Sequence, residues 1–335
     1  MFKPKKTFRK ALYGSTGMKL DKSLGSGSYS QGIFSLRQKS KPRDKLLRRE
    51  NTEAEVHPKY TLAVKICGAK DVALLKREYK LLLSIEHPNI IQVYYAPIVT
   101  NSHCGMVMEL VRGHDLLDIM NMYYNSHNRT PRSKTVRLIL KPILLALDYL
   151  HRNSIVHHDI KPENILVGAD RMEHVDESTV VKLCDFGLAS CSDNERISAG
   201  SVDWASPEKF FRELGPTSQS SDMCSFGFLS YALVSGRMPI HIRSDPMKGT
   251  KFDRESYEIL HRNLSREIQC ATRGFYWKNP EFKVITMSTI PINPGSRLSA
   301  QLVLQFDFFE PDTSIPAAIL RNSKSEPLIP NSNCD

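Results

Sequence analysis

The stretch His157-His158-Asp159-Ile160-Lys161-Pro162-Glu163-Asn164 lies between two apolar flanks, Ile155–Val156 and Ile165–Val167. An alcohol that is to act as a nucleophile needs a carboxylate near its proton, and a phosphoryl donor needs a hard cation held by oxygen ligands. Asp159 suits the first task and Asn164, five residues on, suits the second. Lys161, between them, suits neutralisation of a transferring phosphoryl group. A second acid, Asp185, opens Asp185-Phe186-Gly187 after a β-rich run, 26 residues beyond Asp159. It is a further candidate Mg²⁺ ligand, and Gly187 lets the chain turn sharply behind it.

Phosphate-binding candidates lie upstream. Gly25 and Gly27, in Leu24-Gly-Ser-Gly-Ser-Tyr-Ser30, could let backbone N–H groups approach phosphates, or could simply close a Gly/Ser hairpin. Lys65, in Ala63-Val64-Lys65, falls on an expected strand from which it can reach α- and β-phosphates. Glu78, on the following helix, can hold that lysine by a charge-assisted contact.

These groups need a frame. Residues 18–38 alternate enough for two strands around the Gly/Ser turn, and 60–67 are rich in β-formers. Residues 71–85 read as a helix with Asp71 as N-cap. Two strands and a helix near Asp115–Met122 come next. The longest helix is expected over 130–153, capped by Thr130 with Pro131 at its first position, and Pro142 inside it predicts a kink or break at about 3 kcal/mol. Strands with one helix, a short link near Arg112–Gly113, then mostly helices predict an α+β, bilobal fold. Its small β-rich N-lobe is 18–112, its larger helical C-lobe 113–310, and a ligand cleft is expected between them. Residues 1–17 read as a basic flexible arm, 37–59 as a basic surface insertion and 311–335 as a loose Pro/Ser/Asn-rich tail.

Of 335 residues, 46 are Lys or Arg and 36 Asp or Glu, a net charge of +10 that favours acidic partners such as phosphorylated ligands. Seven cysteines, none in C-x-x-C spacing, point away from a zinc or dithiol site and fit reduced thiols in a cytoplasmic or nuclear protein. The most apolar run, Leu138–Leu150, is interrupted by Lys141, Pro142 and Asp148, so no membrane span is expected.

Together the motifs resemble those of the eukaryotic-type protein kinases over roughly residues 18–310. The resemblance implies a bilobal kinase fold and ATP-dependent, Mg²⁺-dependent transfer of the γ-phosphoryl group to protein substrates. It implies that Gly25 and Gly27 belong to the glycine-rich loop and that Lys65 pairs with Glu78. Met108 becomes the gatekeeper, Glu109 to Val111 the hinge that reads adenine, and Asp115 a neighbour of ribose and substrate. Asp159 becomes the catalytic base, with Lys161 beside it, and Asn164 and Asp185 become metal ligands. Ser206-Pro207-Glu208 closes the activation segment, Arg297 partners Glu208, and Asp222 braces the catalytic loop. Lys161 and Ser201 resemble the Ser/Thr-specific pattern, and the calcium/calmodulin-dependent branch is the nearest in style. Acids at Glu163 and Asp115 fit a basic residue near the target hydroxyl, whereas Ala232 after Tyr231 counts against it.

The chain also departs from the pattern. The arginine expected before Asp159 is His158, which binds phosphate less well than a guanidinium. The third loop glycine is Ser30. The residue expected over adenine is Gly32, a loss of about 1–2 kcal/mol of apolar contact unless Ile33 replaces it through a bulge. Only 13 residues separate Lys65 from Glu78, so the helix carrying Glu78 is expected to have lost its first turn. Twelve residues, 168–179, enlarge the connection from Asn164 to Asp185 and read as a surface hairpin. These departures keep open a second reading, a kinase-like scaffold with little turnover. Nucleic-acid binding would rest on charge alone, with no recognition motif behind it.

Overall fold

The computed structural model describes residues 3–25, 31–38, 47–49, 52–56, 62–191, 201–239, 253–271 and 274–310. Gly27, Ser30, Ser192, Ser198 and the expected tail 311–335 lie outside them.

The segment expected as a flexible arm is instead a helix, α1 (Lys6–Thr16), ended by Gly17 in the left-handed region at φ 70°. Its basic residues hide a short apolar stripe. Phe8 and Leu12, one turn apart, are completely buried against Phe34, Leu62, Val64, Ile66 and Val107. They cover one face of a five-stranded antiparallel sheet. The first four of its neighbours in sequence are β1 (Met18–Gly25), β2 (Gly32–Gln38), β3 (Leu47–Arg49) and β4 (Thr52–Val56). After these come β5 (Leu62–Gly68), α2 (Val72–Ser84), β6 (Val93–Val99) and β7 (His103–Glu109). The sheet order is β1-β2-β5-β7-β6, and β3 pairs with β4 in a separate two-stranded sheet, so the expected surface insertion 37–59 contains a small hairpin.

Alternation along the buried central strand β5 sends Leu62, Val64 and Ile66 toward α1 and Ala63, Lys65 and Cys67 toward the rest of the molecule. Beside it, Gly105 has no room for a side chain, since a Cβ there would lie 2.5 Å from the Phe8 ring. Gly105→Ala is expected to destabilise the protein by about 1–3 kcal/mol in urea unfolding, with Phe8→Leu in the same chain recovering part of the loss.

Beyond the sheet, β8 (His114–Asp115) leads into α3 (Leu116–Ser126) and α4 (Ser133–Arg152). The helix α4 starts at Ser133, two residues later than the Pro131 start the sequence implies, and runs unbroken through Pro142. Val136, Ile139, Leu140, Ile143, Leu144, Leu147 and Leu150 are all essentially inaccessible on its inner face. At about 1.5–3 kcal/mol each, their burial outweighs the roughly 3 kcal/mol that the proline costs. Then come β9 (Ile165–Val167) and β10 (Val181–Leu183), which form a sheet ordered β10-β9-β8. Their connection is not wholly superficial, because Met172 and Val175 are buried. Gly113 makes this junction possible: a Cβ there would fall 2.0 Å from the Val167 carbonyl oxygen.

The remaining helices are α5 (Gln219–Ser235), α6 (Arg254–Gln269), α7 (Gly274–Lys278), α8 (Pro280–Thr289) and α9 (Ala300–Val303). A capping box, Ser218 with Ser221, starts α5, whose residues 221–234 are buried on all sides. Among the described residues no helix is long and apolar enough to cross a membrane.

Candidate active site

Two elements and one turn supply the first group of charges. Lys65 leaves β5 on the face toward α2, and Glu78 leaves the buried side of α2. The Lys65 ammonium donates to both Glu78 oxygens at 2.8 Å and to Asp185 Oδ1 at 2.7 Å. Burial works against the ammonium charge, but the two carboxylates outweigh it and hold the Lys65 pKa above its ordinary value. The shortened α2 therefore still delivers its acid; a 3-10 turn, Ala69–Asp71, replaces the missing first turn. Asp185 reaches this position with φ +63°, a conformation rare for a side-chain-bearing residue.

The second group is built on the turn after α4. Asp159 Oδ2 is 2.7 Å from the Lys161 ammonium, which also donates to Ser201 Oγ at 2.7 Å. Asn164 Nδ2 donates to the Asp159 carbonyl at 2.8 Å and to its Oδ2 at 3.0 Å, and the Ser201 N–H donates to Oδ1 at 3.2 Å. Burial raises the Asp159 pKa, yet Lys161 prevails and the carboxyl sits below its usual range, so it is ionised at neutral pH. The asparagine's amide nitrogen is engaged, which leaves its Oδ1 as the atom that could face a cation. The Cys184 N–H donates to the Asn164 carbonyl at 2.9 Å and ties this turn to the residue before Asp185.

A buried bracket holds the turn in place. Asp222 accepts the His157 and His158 N–H groups at 2.8 and 2.9 Å and the His151 ring at 3.1 Å. Burial opposes its charge, but the His151 ring contact prevails and pulls its pKa down to about 2. His157 is kept neutral by burial. Its Nδ1 accepts the Asp159 N–H at 3.3 Å, so its Nε2 carries the proton toward the Cys184 carbonyl at 3.1 Å. His158, at φ +67°, turns its ring inward to Ser190 Oγ at 2.9 Å. Ser190 also pairs with Val156 through two backbone bonds of 2.9 Å, and Arg77 of α2 donates to the Ala189 carbonyl at 3.2 Å.

Other expected positions are placed as follows. Gly25 ends β1 opposite Ile33. Ile33 pairs with Lys65 across β2 and β5 and so shares the Lys65 face, whereas Gly32 pairs with Ile66 and lies on the opposite face. The β2–β5 register is regular, and the irregularities fall in β1. Met108 is buried near the end of β7, and Leu110 and Val111 are half-buried. Asp115 caps α3 by accepting the Asp118 N–H at 2.9 Å, and burial raises its pKa. Glu163 is exposed. Glu208 and Arg297 form a two-pronged ion pair at 2.7 and 2.8 Å. The sequence did not single out Lys182, whose ammonium lies 2.7 Å from Glu109 Oε1; its only signal was an inward position on a short strand.

Among the described residues no three His, Cys, Asp or Glu groups cluster to hold a metal alone. Asn164 Oδ1 and Asp185 Oδ2 are oxygen donors on two turns tied by the Cys184–Asn164 bond, and such donors suit Mg²⁺ completed by phosphate oxygens.

A family model described as a protein kinase domain matches residues 19–309. The chain is 27% identical over 245 residues to CBL-interacting protein kinase 12 of Oryza sativa subsp. japonica. That match takes in 71% of this chain and 40% of the relative, so the chain spans well under half the length of that protein.

Proposed function

We propose, because the chain belongs to the protein kinase family, that it transfers the γ-phosphoryl group of ATP to Ser or Thr hydroxyls of protein substrates. The observation that carries this is the Lys65 ammonium bridging Glu78 and Asp185, which aligns a phosphate-binding cation with a candidate metal ligand. Asp159 would accept the substrate hydroxyl proton while that oxygen attacks the γ-phosphorus and ADP departs. Lys161 would steady both Asp159 and the moving charge, and Ser201 would keep that lysine in place. Asn164 and Asp185 would hold Mg²⁺, whose charge offsets that of the triphosphate. Gly25, Gly27, Ile33, Glu109, Val111 and Asp115 would line the nucleotide site, with the backbone of Glu109 and Val111 reading adenine. Ser/Thr preference is supported by the Lys161–Ser201 contact.

The test is transfer of labelled phosphate from Mg·ATP to arrayed Ser, Thr and Tyr peptides. Labelling of Ser/Thr peptides is expected, stronger with a basic residue nearby; labelling of Tyr peptides alone would contradict the reading. Mg·ATP binding without any transfer would favour the scaffold instead.

His158 bears on regulation. Its ring is buried against Ser190, and the first residues after Asp185 are already fastened by Val156 and Arg77. Activity is therefore expected not to need a phosphate at Ser192 or Ser198. Alanine at either position should leave turnover within about threefold, less than 1 kcal/mol. Loss of turnover restored by a phosphomimetic acid would contradict this.

A further inference from the structure

We propose that Lys209 is a positioning residue that holds the peptide plane in front of Asp159 and couples it to the segment 201–209. The inference deepens the proposed kinase reading and rests on it.

Lys209 ends a 3-10 turn, Pro207–Lys209, and its ammonium donates to the His158 carbonyl. His158 stands at φ +67°, and its own N–H donates to Asp222 Oδ1 at 2.9 Å. The next N–H, that of Asp159, donates to His157 Nδ1 at 3.3 Å. Both polar groups of the peptide between His158 and Asp159 are therefore held, the carbonyl by Lys209 and the N–H by His157. The mount is firm. Glu208, the residue before Lys209, is locked to Arg297 at 2.7 and 2.8 Å, and the Lys209 N–H donates to the Ser206 carbonyl at 3.1 Å. At the other end of the segment the Ser201 N–H donates to Asp159 Oδ1, and the Ser201 hydroxyl accepts from Lys161. The segment thus grips the turn twice, once through side chains and once through the backbone.

Burial pushes the Lys209 pKa below its ordinary value, against the charges of Asp159, Asp222 and Glu208 and with that of Lys161. An apolar side chain would pack at 209 without that desolvation, so the ammonium is explained by the carbonyl it holds. A histidine at positive φ keeps its conformation only while its surroundings fix it. A peptide plane that relaxed would carry Asp159 with it, and a displacement of about 1 Å can cost about 100-fold in rate. The guanidinium that the kinase pattern expects at 158 is absent, and Lys209 brings a cation to the same turn from another element.

The experiment uses the full chain as Lys209→Met, Lys209→Gln and Lys209→Arg. It reads kcat, KM for ATP, and hydrogen exchange at the His158 amide and at Leu147 in the interior of α4. Lys209→Met is expected to lower kcat at least tenfold with KM for ATP within threefold. Exchange is expected to rise at least tenfold at His158 and to stay within threefold at Leu147. Lys209→Gln, too short for the same contact, is expected to behave likewise and carries the comparison if the methionine variant does not fold. Lys209→Arg keeps a donor and is expected to restore both readings. A kcat within threefold of wild type in Lys209→Met or Lys209→Gln would overturn the proposal, as would exchange that rises equally at His158 and Leu147. If wild-type protein transfers no phosphate, the proposed function fails, and the exchange comparison still decides whether Lys209 holds the turn.

Discussion

Asp159→Asn is expected to lower turnover by roughly 1,000-fold while leaving the fold intact. The carboxylate faces three partners: the Lys161 ammonium, the Asn164 amide and the Ser201 N–H. An asparagine keeps the shape and can still accept from two of them, but it cannot take a proton from a substrate hydroxyl. The Asn164 bond to the residue-159 carbonyl is independent of the side chain and survives the change. A chemical-denaturation curve within about 1 kcal/mol of wild type would accompany the loss. Turnover within threefold of wild type would remove Asp159 from the role of base. Lys65→Met is the companion change, and because Lys65 touches both Glu78 and Asp185 its effect is expected in nucleotide affinity as well as in turnover.

The largest stability effect is expected at Arg297. Its guanidinium and the Glu208 carboxylate are both fully buried. Arg297 also donates to the carbonyls of Pro291 at 2.7 Å, Ser220 at 2.9 Å and Ile292 at 3.1 Å, and Ser221 donates to Glu208. Arg297→Met strands a buried carboxylate and three carbonyls, and is expected to cost about 3–5 kcal/mol by urea unfolding. A second change, Glu208→Leu, removes the stranded charge and should recover part of that loss. Burial pushes the Glu208 pKa up, but Arg297 wins and holds it below the ordinary carboxylate range. A group whose folded pKa is depressed stabilises fully above its unfolded pKa, and the stabilisation fades as pH falls through the folded value. The wild-type protein should therefore lose this contribution only in acid, whereas Arg297→Met should be weak at neutral pH too. A loss below 1 kcal/mol at pH 7 would contradict the account.

The turn that brings Asp159, Lys161 and Asn164 together was readable in the sequence because the polar groups stand at fixed spacing between apolar runs. Asp159, Lys161 and Asn164 occupy one short turn, and such local geometry is written in the spacing itself. The strand carrying Lys65 and the helix carrying Glu78 followed from β-rich composition and helical periodicity. What escaped depended on tertiary partners. Phe8 and Leu12 look incidental in a lysine-rich segment until the bare patch over Gly105 is seen to receive them. Pro142 reads as a break because the strength of the surrounding packing is not visible locally. Gly32 reads as a hole over adenine because the β2–β5 register, which puts Ile33 opposite Lys65, is set by the pairing of distant strands. The Lys182–Glu109 contact joins residues 73 positions apart, and nothing near either of them announces it.

The most direct test of the central claim, that Lys65, Asn164 and Asp185 converge on one triphosphate and its cation, is calorimetric titration of ATP with and without Mg²⁺. It compares wild type with Asp185→Asn. Wild-type protein is expected to bind ATP at least tenfold more tightly when Mg²⁺ is present, and the variant to lose that increment while still melting cooperatively. ATP binding indifferent to Mg²⁺ in the wild type, or an increment unchanged in Asp185→Asn, would contradict it.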